Sequence, residues 1–107
     1  MTEEYFFDML DRPKRSTKPR TIGITGVFDP ISPTVLERFG EYIDMVKLLD
    51  PTLWAPRKVI EKSIALYKEH DILIHIGGIP QEIARVEGKM DQFLNEAKRL
   101  SIDIIEY

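Results

Sequence analysis

The 107-residue chain contains no cysteine, which excludes a disulfide scaffold, a thiolate metal site and a cysteine nucleophile. No apolar run approaches the ~18 residues that a membrane span requires. The opening residues, Met1-Thr2-Glu3-Glu4, are acidic and lack the basic-then-apolar signature of a signal peptide, so the expected compartment is the cytoplasm. There is no excess of positive charge either. A net charge of −3 and a pI near 5.4 argue against a general nucleic-acid binder, which usually carries a basic face. No Ser/His/Asp nucleophile set, Walker loop or GxGxxG motif is present. What is there is a globular balance, 43% apolar and 31% charged residues, in 12.5 kDa. That is one domain at most, or a piece of a larger one.

Residues 1–20 read as an N-terminal arm. Tyr5, Phe6, Met9 and Leu10 suit one short amphipathic turn or helix. The stretch 12–20, RPKRSTKPR, holds two prolines and five basic residues, which disfavour helix and keep it extended and solvated. A nucleic-acid or nuclear-localisation patch is the sharper reading of such a run, but nothing else in the chain supports it.

Residues 21–107 follow a repeating grammar. Thr21–Phe28 is β-branched and predicts a first strand. Asp29-Pro30-Ile31 is a turn, and Ser32 is a good N-cap with Pro33 at the first helical position. The first helix is expected over Pro33–Gly40, burying Val35, Leu36 and Phe39. Tyr42–Leu49 predicts strand two and Asp50-Pro51-Thr52 a turn. A helix is expected over Pro56–Glu69, with Val59, Ile60, Ile64 and Tyr67 opposite Lys58, Glu61, Lys62 and Lys68. Asp71–Ile76 predicts strand three, broken by Gly77-Gly78. Helix three is expected over Pro80–Leu100, with a possible interruption at Gly88 and an apolar stripe of Met90, Phe93, Leu94, Ala97 and Leu100. Ser101–Tyr107 predicts strand four.

The order βαβαβαβ makes a parallel sheet, because successive parallel strands need a long crossover. Units of roughly 20–28 residues suit a (β/α)₈ TIM barrel, of which this chain holds four strands and three helices. A flavodoxin-like sheet competes, but it normally carries a fifth strand and a closing helix. A half-barrel has open edges at strands one and four, and such edges invite pairing. A homo-oligomer is therefore expected.

The segments RPKRSTKPRTIGIT, GEYIDMVKL, HDILIHIGG and GKMDQFLNEAKRLSIDIIE resemble the N-terminal half of the phosphosulfolactate synthase family. The resemblance runs from about Arg12 to Glu106. It implies a TIM barrel and Mg²⁺-dependent addition of sulfite to phosphoenolpyruvate, giving phosphosulfolactate, an early step towards coenzyme M. Position by position, it implies that Asp29 matches the acidic residue ending strand one, Lys47 the strand-two lysine and Thr52 the threonine of the following loop. Gly77 and Gly78 match a strand-three Gly-Gly, Glu82 the glutamate closing that segment, and Glu106 the glutamate of strand four. Three loops differ from the family pattern: Asp29-Pro30-Ile31, Leu49-Asp50-Pro51 and Ile79-Pro80-Gln81. Each follows a strand, on the face where TIM barrels build their active sites, and each brings a proline in place of a potential N–H donor.

Within this frame the candidate catalytic residues are Lys47 and Glu106, the candidate substrate-binding residues Thr52, Gly77, Gly78 and Glu82, and the candidate metal ligand Asp29. If Ile43, Met45 and Lys47 alternate together, Lys47 faces a barrel interior and suits a phosphate or carboxylate; the alternative is a strand-end lysine reaching solvent. Asp29 and Glu106 together would offer oxygen ligands to Mg²⁺, whereas alone Asp29 is a turn residue before Pro30. Glu82 also suits the positive end of helix three, and Gly77-Gly78 also suits a simple strand terminator. His75 reads as a packed histidine, His70 as a helix C-terminal residue, and Trp54 as a cover for the second helix or a subunit contact. Two functions stand: a carbon–sulfur lyase acting on a small anionic phosphorylated substrate, or a relative that keeps the scaffold for binding or assembly.

Overall fold

The computed structural model describes residues 9–10 and 16–106. Four strands, β1 (Gly26–Phe28), β2 (Met45–Leu48), β3 (Leu73–Ile76) and β4 (Ile104–Ile105), form one sheet in the order β1-β2-β3-β4. Every pair is parallel, with Phe28 opposite Lys47, Lys47 opposite His75 and His75 opposite Ile104. Between the strands lie α1 (Pro33–Phe39), α2 (Asp50–Leu53), α3 (Arg57–Glu69), α4 (Gly78–Val86) and α5 (Met90–Arg99). None of these helices is long and apolar enough to cross a membrane.

Burial alternates along the strands. Val46 and Ile74 are 0% exposed and Leu48 and Ile76 are buried with them, while Phe28 is 64% and Leu73 45% exposed. One face therefore packs against the helices through Leu36, Ile60, Ile64 and Tyr67, and the other is open. A doubly wound sheet covers both faces of its parallel strands. Cover on one face only, with sequential strand order, is the arrangement of half a barrel.

The helix boundaries follow from local chemistry. Ser32 Oγ accepts from the Val35 amide at 3.1 Å, so α1 starts on its expected cap. α3, α4 and α5 each end the same way: the residue after the C-cap (Asp71, Gly88, Ser101) has positive φ, and the next amide reaches back to Tyr67, Ala84 or Ala97. This closes the orphan carbonyls of each last turn. The left-handed Gly88 splits the expected single third helix into α4 and α5.

Other expectations are corrected. The strands are shorter than their apolar runs: Tyr42 belongs to a 3₁₀ turn, Gly40–Tyr42, and Asp50-Pro51-Thr52 opens the short helix α2. On α1 only Leu36 is buried, with Val35 and Phe39 exposed; Val59 and Leu94 are exposed on α3 and α5. Ile43 packs in the core rather than sharing the open face with Met45 and Lys47. Most of the expected N-terminal turn lies outside the described residues, and Met9 and Leu10 within it are exposed. The end of the arm is not solvated. Arg20 is buried and pairs with buried Asp44 at 2.7 Å, whose other oxygen accepts the Thr25 amide at 2.8 Å. Lys18 donates to the carbonyls of Gly40 and His70. The arm is thereby tied to the approaches to β2 and β3.

Candidate functional site

Parallel register places the candidate residues. Lys47 and His75 are direct neighbours on β2 and β3, and Glu106 lies two residues past Ile104, the partner of His75. Side chains two apart on a strand share a face, so all three stand on the open side at the C-terminal ends of the strands. Lys47 Nζ donates to Glu106 Oε2 at 3.1 Å. His75 Nε2 lies 3.5 Å from the same oxygen. The hydrogen bond and charge of Lys47 hold the Glu106 carboxyl below its ordinary range, with His75 adding to the effect.

Gly77 makes room for the lysine. A β-carbon there would lie 3.0 Å from Lys47 Cε and 3.4 Å from Nζ. These groups line an open depression of about 570 Å³ together with Gly78, Glu82 and Asp50. Among its lining residues, Lys47 is the one cation. Five of the seven expected site residues thus meet in one place: Lys47, Gly77, Gly78, Glu82 and Glu106.

Asp29 and Thr52 are elsewhere. Asp29 follows Phe28 and turns to the helix side, where it is buried. Thr52 Oγ1 donates to its Oδ2 at 2.7 Å, and the Tyr67 hydroxyl donates to its Oδ1. The Tyr67 oxygen in turn accepts the Ile31 amide at 3.1 Å. Burial, reinforced by the bond to Asp29, pushes the Tyr67 phenol up to about 12. Both carboxylate oxygens of Asp29 are therefore engaged by hydroxyls on α2 and α3, while Glu106 stands across the sheet with Lys47. As a pair they do not fit a two-carboxylate magnesium site, and no group of three or more His, Asp or Glu side chains among the described residues is placed to hold a metal.

Two participants differ from their expected roles. His75 reads from sequence as packed, yet it faces Glu106. The signal is the alternation of Ile72, Ile74 and Ile76 with Leu73 and His75, which puts His75 off the β-branched face. Tyr67 reads as core, and its ring is buried, but its hydroxyl makes two polar contacts. His70 caps the C-terminal end of α3 as expected. Trp54, the C-cap of α2, is 83% exposed. It lines a larger depression of about 810 Å³, with Arg57, Ile83 and Phe93, that shares Asp50 and Ile79 with the site.

Comparison with known proteins fixes the family. The family model described as (2R)-phospho-3-sulfolactate synthase (ComA) matches residues 13–107. The chain belongs to the phosphosulfolactate synthase family. It is 33% identical over 106 residues to the phosphosulfolactate synthase of Methanothermobacter thermautotrophicus, covering 94% of this chain and 41% of that protein. It is 34% identical over 90 residues to the phosphosulfolactate synthase of Methanocaldococcus jannaschii, covering 78% of this chain and 36% of that protein. The chain thus spans about two fifths of these phosphosulfolactate synthases. The family is built on a TIM barrel, and the four parallel strands with their outer helices are half of that architecture.

Proposed function

We propose that this chain is the N-terminal half of a cytoplasmic phosphosulfolactate synthase-like lyase whose Lys47 receives an anionic group of the substrate. In the family reaction, sulfite sulfur bonds to the terminal carbon of phosphoenolpyruvate. The carbon–carbon double bond becomes single, and a proton is added at the phosphate-bearing carbon. Both reactants and the product are multiply charged anions, and a lysine ammonium is a compact donor for such groups. The observation that supports the reading is the position of Lys47: open face, strand C-terminal end, in the space left by Gly77. TIM barrels usually take their phosphate site from the loops after strands seven and eight. The 107-residue chain by itself is accordingly expected to bind small anions without turnover.

The test is a titration of the isotope-labelled chain with phosphoenolpyruvate, followed by amide shifts at Lys47, Gly77 and Gly78. Saturable shifts that disappear in Lys47→Met support the reading, and equal binding by that variant overturns it. A coupled assay with phosphoenolpyruvate and sulfite tests the second half, since turnover by this chain alone would contradict it. A second reading, a substrate-diverged binding or assembly module, is favoured by the rim loops. Pro30, Pro51 and Pro80 each remove an N–H donor from a loop that follows a strand, and Pro51 lines the depression itself. Binding of phosphate but not of phosphoenolpyruvate would select it.

A further inference from the structure

We propose that His75 is a positioning residue: it helps hold the Glu106 carboxylate on Lys47, making Glu106 an internal counter-ion that an anionic ligand must displace. The inference rests on Lys47 being the anion-binding group proposed above. One oxygen, Glu106 Oε2, faces both Lys47 Nζ at 3.1 Å and His75 Nε2 at 3.5 Å. The Glu106 side chain is 47% exposed and that of His75 only 20%. A half-exposed glutamate one residue beyond a two-residue strand has many rotamers open to it, and ordering it costs entropy. The histidine comes from β3, an interior strand paired on both sides, so it offers a fixed point against which the carboxylate settles.

The consequence concerns charge. Lys47 and Glu106 neutralise one another, and the other charged groups lining the depression, Asp50 and Glu82, are negative. The resting mouth therefore presents no net positive charge. A ligand carrying two negative charges on one group outcompetes a single carboxylate for Lys47. Glu106 then swings off the ammonium while His75 keeps it beside the mouth. A group that arrives with one weak negative charge gains little from the exchange. The pair acts as a filter favouring dianions.

The experiment titrates inorganic phosphate into the labelled 107-residue chain and its variants, with the amide spectrum as the control for folding. Glu106→Gln removes the competitor and is expected to tighten phosphate binding about two- to fivefold, the range that an exposed ion pair spans. Asp50→Asn makes the same charge change away from Lys47 and is expected to give a smaller gain. His75→Leu is expected to tighten binding in the same direction as Glu106→Gln. His75→Gln, which restores an N–H donor near the position of Nε2, should return it towards the parent value. The ring nitrogen shifts of His75 should report an Nε2–H group that changes in Glu106→Gln without any ligand. Weaker phosphate binding in His75→Leu would make the imidazole a direct anion ligand and overturn the proposal. So would unchanged binding in Glu106→Gln while Lys47→Met abolishes it. Phosphate binding that survives Lys47→Met would instead remove the reading of Lys47 on which the proposal stands.

Discussion

Tyr67→Phe removes one oxygen and leaves the ring. The ring is 2% exposed, so its packing is unchanged and no cavity larger than a hydroxyl is created. That oxygen serves two buried groups, donating to Asp29 Oδ1 and accepting from the Ile31 amide. Each polar group left unpartnered in the interior costs about 1–3 kcal/mol. The substitution should therefore cost about 2–6 kcal/mol and lower Tm by about 8 °C or more in a domain of this size. Thr52→Val removes one charge-assisted bond from the other oxygen and should cost about 1.5–3 kcal/mol. Asp29→Asn keeps an acceptor and should cost less than the Tyr67→Phe and Thr52→Val losses summed. Urea unfolding measures all three, and the graded variants keep the test informative if Tyr67→Phe does not fold. Alkaline titration gives an independent check. The Tyr67 phenol is raised to about 12, so the native state favours the protonated form. Its stabilising contribution is complete below the ordinary tyrosine value near 10 and declines as pH rises towards 12. Phenolate absorbance should show the Tyr67 phenol ionising late, in a step missing from Tyr67→Phe. A Tyr67→Phe variant within about 0.5 kcal/mol of the parent, the range of an ordinary surface change, would refute the assignment of Asp29 to a buried hydroxyl network.

Asp44→Ala strands the buried Arg20 guanidinium and should cost about 3–5 kcal/mol in urea unfolding. Burial opposes ionisation of Asp44, but the Thr25 amide and Arg20 outweigh it and hold the carboxyl below its ordinary value. Its contribution is therefore present above pH ~4 and lost as pH falls through the lowered value; an acid limb equally steep in Asp44→Asn would contradict this. Gly77→Ala meets an ordinary backbone, φ −75°, so Tm should hold while the new methyl presses Lys47 and weakens phosphate binding; unchanged affinity would show that the lysine has room to spare. The open face, and the outer edges of β1 and β4, which pair with no further strand among the described residues, should drive self-association, reduced by Leu73→Lys, and a sharp monomer boundary in sedimentation velocity at high concentration would exclude it.

The strand–helix alternation is legible in the sequence because parallel strands compel a crossover, and two of the three crossovers leave a local mark: Ser32 before Pro33, and Gly88 within the expected helix Pro80–Leu100. What stays hidden is long-range. Arg20 sits in a proline-rich basic run whose composition reads as solvated, and its partner Asp44 is 24 residues away. Nothing near Arg20 encodes that pairing. Strand lengths are overestimated from sequence for a related reason. Apolar and β-branched character continues through Thr21–Thr25 and Tyr42–Asp44, but a ladder forms only where a neighbouring strand is in register, and the β1–β2 ladder begins at Gly26 and Met45. Asp29 shows a different limit. An aspartate before proline at a strand end suits a turn, a metal or a buried hydroxyl equally well, and the residue that decides, Tyr67, lies 38 positions on.

The boundary between Phe28 and Asp29 explains why the expected site divides. Adjacent strand residues point to opposite faces, so two neighbours in sequence serve different halves of the protein. Asp29 goes to the helix side and ties the loop after β1 to α2 and α3 through Thr52 and Tyr67. Phe28 goes to the open side, in the row that continues through Lys47 and His75. The same parity acts at the other edge: Ile105 packs on the core and Glu106 returns to the mouth. A carboxylate at a strand end reaches Lys47 from a position of matching parity, which Glu106 has, two strands away across β3 and His75, and Asp29, at the end of adjacent β1, lacks. Inserting one residue between Ile105 and Glu106 would reverse that parity while leaving Asp29 untouched. Phosphate binding should then tighten as it does in Glu106→Gln, and the Tyr67 titration should not move.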